Sequence, residues 1–246
     1  MACAGRAMMI ALERGVYTVR AAQDAEDRTA AMALRNRCFG SAGGTPDVFD
    51  DTAQQVLVTT QGRAVATFRM SLLSGPQFAQ SYSAQYYDLR ALAQFRGPML
   101  ELGRFCIHPD HTDPDILRIA WAALTAYVDA QEIALLFGCS SFLGTNPAPY
   151  LDAFGLLQAR HLAPDRWAPQ ISADEVFPFA SLPAAPPDLR KATATLPPLL
   201  RTYLMMGGWV SDHAVIDREM GTLHVFTGLE TQAIPPARKK LLRALV

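Results

Sequence analysis

The chain is poor in charge. Of its 246 residues, 18% are Asp, Glu, Lys or Arg, while half are hydrophobic. So little charge leaves apolar surface to be accounted for, by a lipid-like substrate or a membrane face. The net charge of −1 gives no global basic field of the kind nucleic-acid binding requires, so nucleic acid is not expected as a partner. No apolar run approaches the ~18 residues that a spanning helix needs. The apolar stretch at residues 8–12 meets Glu13 too soon to serve as the core of a signal peptide. Cys3, Cys38, Cys106 and Cys139 show no Cys-x-x-Cys spacing, and three of them sit in apolar segments as small buried hydrophobes. Such usage fits a reducing cytoplasm. A Ser-His-Asp order, a His/Cys metal spacing and internal repeats are all absent.

What is present is an alternation of strands and helices. A short strand at 15–20 precedes a helix over about 24–39, which Gly40 stops. Residues 40–53 form a loop rich in Gly and Asp. Two β-branched runs, 55–60 and 63–73, flank Gln61-Gly62, a hairpin signal. An irregular stretch over 74–98 leads to a strand at 99–109. A strong helix follows at 115–133, with Ile116, Ile119, Ala120, Ala123, Leu124 and Tyr127 on one face. Next come a strand at 134–139, a helix at 147–157, a proline-rich connection over 162–188 with a short strand at 176–179, a helix at 196–206 and a last strand at 223–229. The tail from Pro235 is basic and amphipathic. This order gives an α/β fold with a mixed sheet.

The strand at 99–109, MLELGRFCIHP, holds the main anomaly. Leu100, Leu102, Phe105, Cys106 and Ile107 make it a buried strand, yet it carries Glu101 and Arg104. A buried carboxylate costs several kcal/mol unless it is paired or changes its pKa. An internal ion pair and a reaction site both account for the two charges. Strand alternation places them on opposite faces unless a bulge intervenes. Other polar residues stand beside apolar segments: Arg35 with Phe39 one turn later, Asp47 and Asp50 around Phe49, and Arg69 in the second hairpin strand.

ELGRFCIHP, the Arg35–Phe39 spacing, Asp47 and Asp50 around Phe49, and Arg69 together resemble the acyl-carrier-protein-dependent branch of the GNAT N-acyltransferases. Acyl-homoserine-lactone synthases share these marks. The closer resemblance is to the amino-acid N-acyltransferases of ornithine-lipid synthesis, often called hemolysin-like. It adds GCSSFLGTNP (138–147) and LPPLLRTYLMMGGWVSDHAVIDREMGTLHVF (196–226), with Asp217 and Thr222.

The resemblance implies one GNAT-like acyltransferase domain over residues 1–246, with a mixed central sheet, helices on both faces and a family-specific segment at about 190–246. It implies transfer of a long 3-hydroxyacyl chain from acyl-carrier protein to the α-amine of ornithine. Alternatives are glutamine or another amino acid as acceptor, lactone synthesis, or a non-catalytic module binding lipid or carrier protein. No cofactor is expected, because the acyl-phosphopantetheine arrives on the carrier protein. The segment HPDHTDPDILR (108–118), which matches the CoA pyrophosphate turn of ordinary members, has no glycine and three aspartates. Those carboxylates disfavour a pyrophosphate.

In this reading Glu101 is the catalytic base, acting directly or through water. Backbone N–H groups of Phe105, Cys106 and Ile107 serve the oxyanion. Arg69 and Arg104 hold the substrate carboxylate or order the Asp47/Asp50 loop, and Arg35 and Phe39 belong to the same binding set. Ser140 and Ser141 either meet the acyl chain or satisfy backbone groups. His213 and Asp217 are candidates for the amino-acid side chain. The basic tail docks carrier protein or anionic lipid, giving a cytoplasmic protein peripheral at the inner membrane face.

Overall fold

The computed structural model describes residues 10–244, the side chains of 41–43 excepted; Cys3 lies outside the described residues. In chain order the strands are β1 (Ala11–Arg14), β2 (Tyr17–Ala21), β3 (Gln54–Thr60), β4 (Arg63–Leu73), β5 (Tyr87–Asp88), β6 (Met99–Ile107), β7 (Leu135–Leu143), β8 (Gln170–Ile171), β9 (Val176–Pro178), β10 (Trp209–Val210), β11 (His213–Asp217) and β12 (Thr222–Glu230). The α-helices are α1 (Ala25–Gly44), α2 (Pro114–Ala130), α3 (Leu151–Arg160), α4 (Leu189–Thr195), α5 (Pro198–Met205) and α6 (Pro236–Arg243). This is the mixed α/β arrangement the sequence predicts. The described residues divide into two compact units, one of residues 10–71, 104–133 and 236–244, the other of 72–103 and 134–235.

The first unit is built on an antiparallel meander of β1, β2, β3 and β4. Gly15 turns the β1–β2 hairpin with φ +60°, and Gln61 and Gly62 turn the β3–β4 hairpin with φ of +49° and +75°. Two successive positive φ values make the tight turn whose twist matches a hairpin. Asp24 accepts a bond from the amide of Asp27 (2.9 Å) at the start of α1. Gly40 breaks α1 with φ 72° and ψ −170°, as its sequence position predicts, but a further helical turn continues to Gly44. Asp113 caps α2 by accepting from the amide of Asp115 (2.9 Å), and Pro114 occupies its first turn. The apolar face of α2 is buried as expected.

In the second unit, residues 99–102 of β6 run parallel to β7. From there β7, β12, β11 and β9 continue antiparallel, and β10 joins β12. Alternation separates two cores. Phe142, Ala214, Leu223 and Val225 point toward α3, α4 and α5. Met99, Phe137, Val215 and Phe226 face the other way, under the 72–98 segment with Phe78, Tyr87, Leu89 and Leu92. The latter segment is a series of 3₁₀ turns, which explains its lack of any helical period. Gly138 lies where β6 and β7 converge: a Cβ there would fall 2.2 Å from the carbonyl oxygen of Leu102.

Several boundaries differ from the sequence reading. The helix expected from Pro147 opens instead as a 3₁₀ turn at 148–150, and α3 begins at Leu151. Asn146 still caps that turn through the amide of Ala148 (3.0 Å). β7 runs four residues beyond Cys139. β1, β11 and α4 are additional elements.

Candidate active site

Each unit carries a buried polar cluster, and the two are built differently. In the first unit, α1 places Arg35, wholly buried, against the 45–53 loop. Its guanidinium donates to Asp50 (2.7 Å). Arg69 on β4 donates to both Asp47 (2.5 Å) and Asp50 (2.9 Å). Arg104 donates to Asp47 (3.1 Å), and the Gln55 amide donates to Asp50 (2.7 Å). The Arg69 guanidinium also lies over the Phe49 ring, 5.4 Å from its centroid. Burial alone would push the Asp50 carboxyl up. The Arg35 hydrogen bond, the Asp47 amide and the charges of Arg35 and Arg69 outweigh it and hold Asp50 below the ordinary carboxylate range.

The rest of the predicted first-unit set lies along α1 and the end of β6. Phe39 is half-buried near the C-terminal end of α1. Phe105 stacks on Phe68, centroids 5.4 Å apart. The Cys106 side chain is buried against Cys38, whose thiol donates to the Ile107 carbonyl (3.3 Å). The hydrogen bond with Cys38, and after it burial, pushes the Cys106 thiol up.

In the second unit, Glu101 is 5% exposed and reaches the 72–98 segment. One carboxylate oxygen accepts from the Tyr82 amide (3.0 Å). The other accepts from the Ser83 amide (2.8 Å) and the Ser83 hydroxyl (2.6 Å). These three donors are neutral. The Cys139 thiol stands 3.6 Å from Ser83 Oγ. Tyr82 and Tyr86 bring their hydroxyls within 3.3 Å of each other, and the Tyr86 hydroxyl donates onward to Asp217 at 3.3 Å. Tyr86 meets the His224 ring edge-on at 4.8 Å, and Tyr87 donates to the His224 carbonyl (2.8 Å). Burial is the largest cause of the upward shift of the Tyr86 hydroxyl, which keeps it protonated as a donor.

Arg104 has φ +53°, a left-handed conformation rare outside Gly, Asn and Asp. The regular alternation of β6 is therefore broken at the residue where the sequence left the two charges undecided. Within their own units, Glu101 turns to the Tyr82–Ser83 backbone and Arg104 to Asp47. Ser140 is buried and accepts from the Thr227 hydroxyl (2.9 Å), and Ser141 is exposed on the opposite face of β7. His213 is buried, with Nδ1 2.7 Å from Asp212.

The family described as acetyltransferase (GNAT) domain matches residues 35–122. L-ornithine N(alpha)-acyltransferase of Rhodobacter capsulatus is 32% identical over 238 residues, covering 89% of this chain and 91% of the relative. This chain belongs to the L-ornithine N(alpha)-acyltransferase family. It is an acyltransferase. The Brucella abortus L-ornithine N(alpha)-acyltransferase is 28% identical over 242 residues, with 89% and 86% covered. Among solved structures, the loading GNATL domain of CurA from Lyngbya majuscula matches with a TM-score of 0.50 at 13% identity, covering 89% of this chain and 99% of that one. That likeness concerns the fold alone.

The sequence reading of this L-ornithine N(alpha)-acyltransferase family member named Glu101 and Asp217. It passed over Tyr82, Ser83, Tyr86 and His224, which connect them. The crowding of three tyrosines into residues 82–87 just before the charged strand was the available signal.

Proposed function

We propose that this enzyme moves a 3-hydroxyacyl chain from acyl-carrier protein to the α-amine of ornithine, releasing the free thiol of the carrier protein and a lyso-ornithine lipid. The observation that carries this reading is the 32% identity to an L-ornithine N(alpha)-acyltransferase along nearly the whole of both chains. The acceptor's ammonium loses a proton toward the Glu101 carboxylate, directly or through one water. Its lone pair then attacks the thioester carbonyl, the C–N bond forms, the C–S bond breaks, and the thiolate leaves and takes up a proton. The ladder from β6 to β7 stops at Leu102, and the following N–H groups of Phe105, Cys106 and Ile107 serve as oxyanion donors. Arg35, Arg69 and Arg104 order the Asp47/Asp50 loop, and the forked guanidinium groups of Arg69 and Arg104 suit the substrate carboxylate. Phe39 lines the same region, and Ser141 meets the acyl chain.

Support for a carrier-protein donor comes from the start of α2. Asp113 and Asp115 stand in its first turn, Asp110 precedes them, and the Tyr17 hydroxyl donates to Asp113 at 2.6 Å. A pyrophosphate would meet carboxylates there instead of free amides and glycine. A phosphopantetheine diester makes no such demand. No described helix is long and apolar enough to cross a membrane. α6 offers exposed Arg238, Lys240 and Leu241 for carrier protein or the membrane surface.

The deciding experiment incubates the protein with ornithine and either 3-hydroxyacyl-carrier protein or the matching acyl-CoA, and follows N-acyl product by mass spectrometry. Product from the carrier-protein donor and little from CoA is expected. An absence of product with ornithine or any other amino acid would remove the reading.

A further inference from the structure

The acidic residues of this chain are satisfied unequally. Asp47 and Asp50 are each bound by guanidinium groups. The Asp212 side chain is 73% exposed and rests on His213. Asp217 is 5% exposed, and among the described residues it has no Lys, Arg or His in an ion pair. Its neighbour Arg218 is turned away to Glu175 (2.6 and 2.7 Å). One Asp217 oxygen accepts from the Met220 amide (2.9 Å) and so shapes the turn between β11 and β12. The other has the Tyr86 hydroxyl at 3.3 Å, long for a hydroxyl–carboxylate bond, whose usual length is ~2.5–2.7 Å. A buried anion held this loosely is costly in the absence of a cation.

Its surroundings suit a cation. The Tyr86 ring meets the Tyr82 ring at 5.4 Å and the His224 ring at 4.8 Å, and aromatic faces attract ammonium groups. Tyr82 and Tyr86 are half-buried rather than sealed in the core. The same pair forms one polar track within the second unit, with the Tyr82 amide on Glu101 at one end and the Tyr86 hydroxyl on Asp217 at the other. The track therefore has a carboxylate at each end.

The geometry points to Asp217, walled by Tyr86 and His224, as the site that takes the terminal ammonium of a cationic amino-acid acceptor and so selects it over neutral ones. This deepens the reading above, on which it rests: Glu101 faces the amine that reacts, and Asp217 holds the one that does not. On binding, the ammonium replaces the loose Tyr86 contact.

The test measures binding without donor, by calorimetry, for ornithine and for norvaline, which keeps the chain but lacks the terminal amine. Wild-type protein is expected to prefer ornithine by about 10- to 100-fold, the worth of a charge-assisted bond. Asp217→Asn keeps an oxygen for the Met220 amide and is expected to erase that preference with norvaline binding unchanged. A wild type that does not discriminate, or an Asp217→Asn variant that still does, overturns the assignment. Should Asp217→Asn fail to fold, Tyr86→Phe decides. Removing the competing hydroxyl should tighten ornithine about two- to five-fold and leave norvaline alone, and an equal or absent effect on the two ligands overturns the proposal. Parallel turnover assays keep the two readings apart: discrimination in binding without acyl product sinks the proposed reaction and leaves the ammonium site standing.

Discussion

The two polar clusters solve the same problem by opposite means. In the first unit, carboxylates are neutralised by guanidinium groups, so Arg35, Arg69 and Arg104 lock the 45–53 loop to α1, β4 and β6. In the second unit, the Glu101 charge is held by two backbone amides and a hydroxyl, and Asp217 by an amide and a distant phenol. The first arrangement spends its electrostatics on holding a loop, and the second hangs its carboxylates on backbone amides and hydroxyls. The difference separates residues whose loss should unfold the protein from residues whose loss should silence it.

That separation can be broken by mutation. Glu101→Gln should carry the largest effect. It removes the charge and sets an NH2 donor against one of the two backbone amides, so turnover should fall ~10²–10⁴-fold while stability falls by only ~1–3 kcal/mol. A variant that turns over normally with its fold intact would make Glu101 purely structural. Asp50→Ala should do the reverse. Removing the carboxylate that Arg35 and Arg69 share in a buried site is expected to cost ~3–5 kcal/mol of stability, read from the midpoint of denaturant unfolding. A stable variant with poor ornithine binding would instead assign the cluster to the substrate.

Acid should sharpen the contrast. The Asp50 carboxyl is depressed in the folded protein, so its contribution is present above the unfolded value of ~3.9. That contribution is lost as pH falls through the lower folded value. The melting temperature should therefore drop below about pH 4, and Asp50→Asn should flatten that limb of the profile. Ser83→Ala, which removes the hydroxyl donor to Glu101, should cost ~1–2 kcal/mol and raise the proteolytic sensitivity of the 72–98 segment. The smallest effect is expected at α6. The Arg243–Asp129 pair is exposed on both sides, so Arg243→Ala should change stability by under ~1 kcal/mol.

How far the sequence reached follows from which residues carry a periodic or steric signal. α2 was legible because its apolar positions recur at helical spacing and Asp113-Pro114 marks its start. The β3–β4 hairpin was legible from Gln61-Gly62. β1 was not, because Ala11–Arg14 is mostly exposed and has no apolar alternation. The charged strand was found with nearly correct ends, but its two charges were not resolved. Nothing in the sequence marks Arg104, a residue with a Cβ, as left-handed. Two of the donors to Glu101 are backbone amides, which every residue possesses, so only the crowding of tyrosines at 82–87 hints at the segment that supplies them. The 3₁₀ turns that deliver those amides have no period to read.

The grip of Glu101 on the Tyr82 and Ser83 amides has a spectroscopic consequence. Two N–H groups aimed at one carboxylate form a built-in indicator: their proton resonances should lie well downfield and move together when that carboxylate takes up a proton. A titration watched through these two signals would follow the charge state of Glu101 in the intact protein, with no substrate, no label and no turnover required.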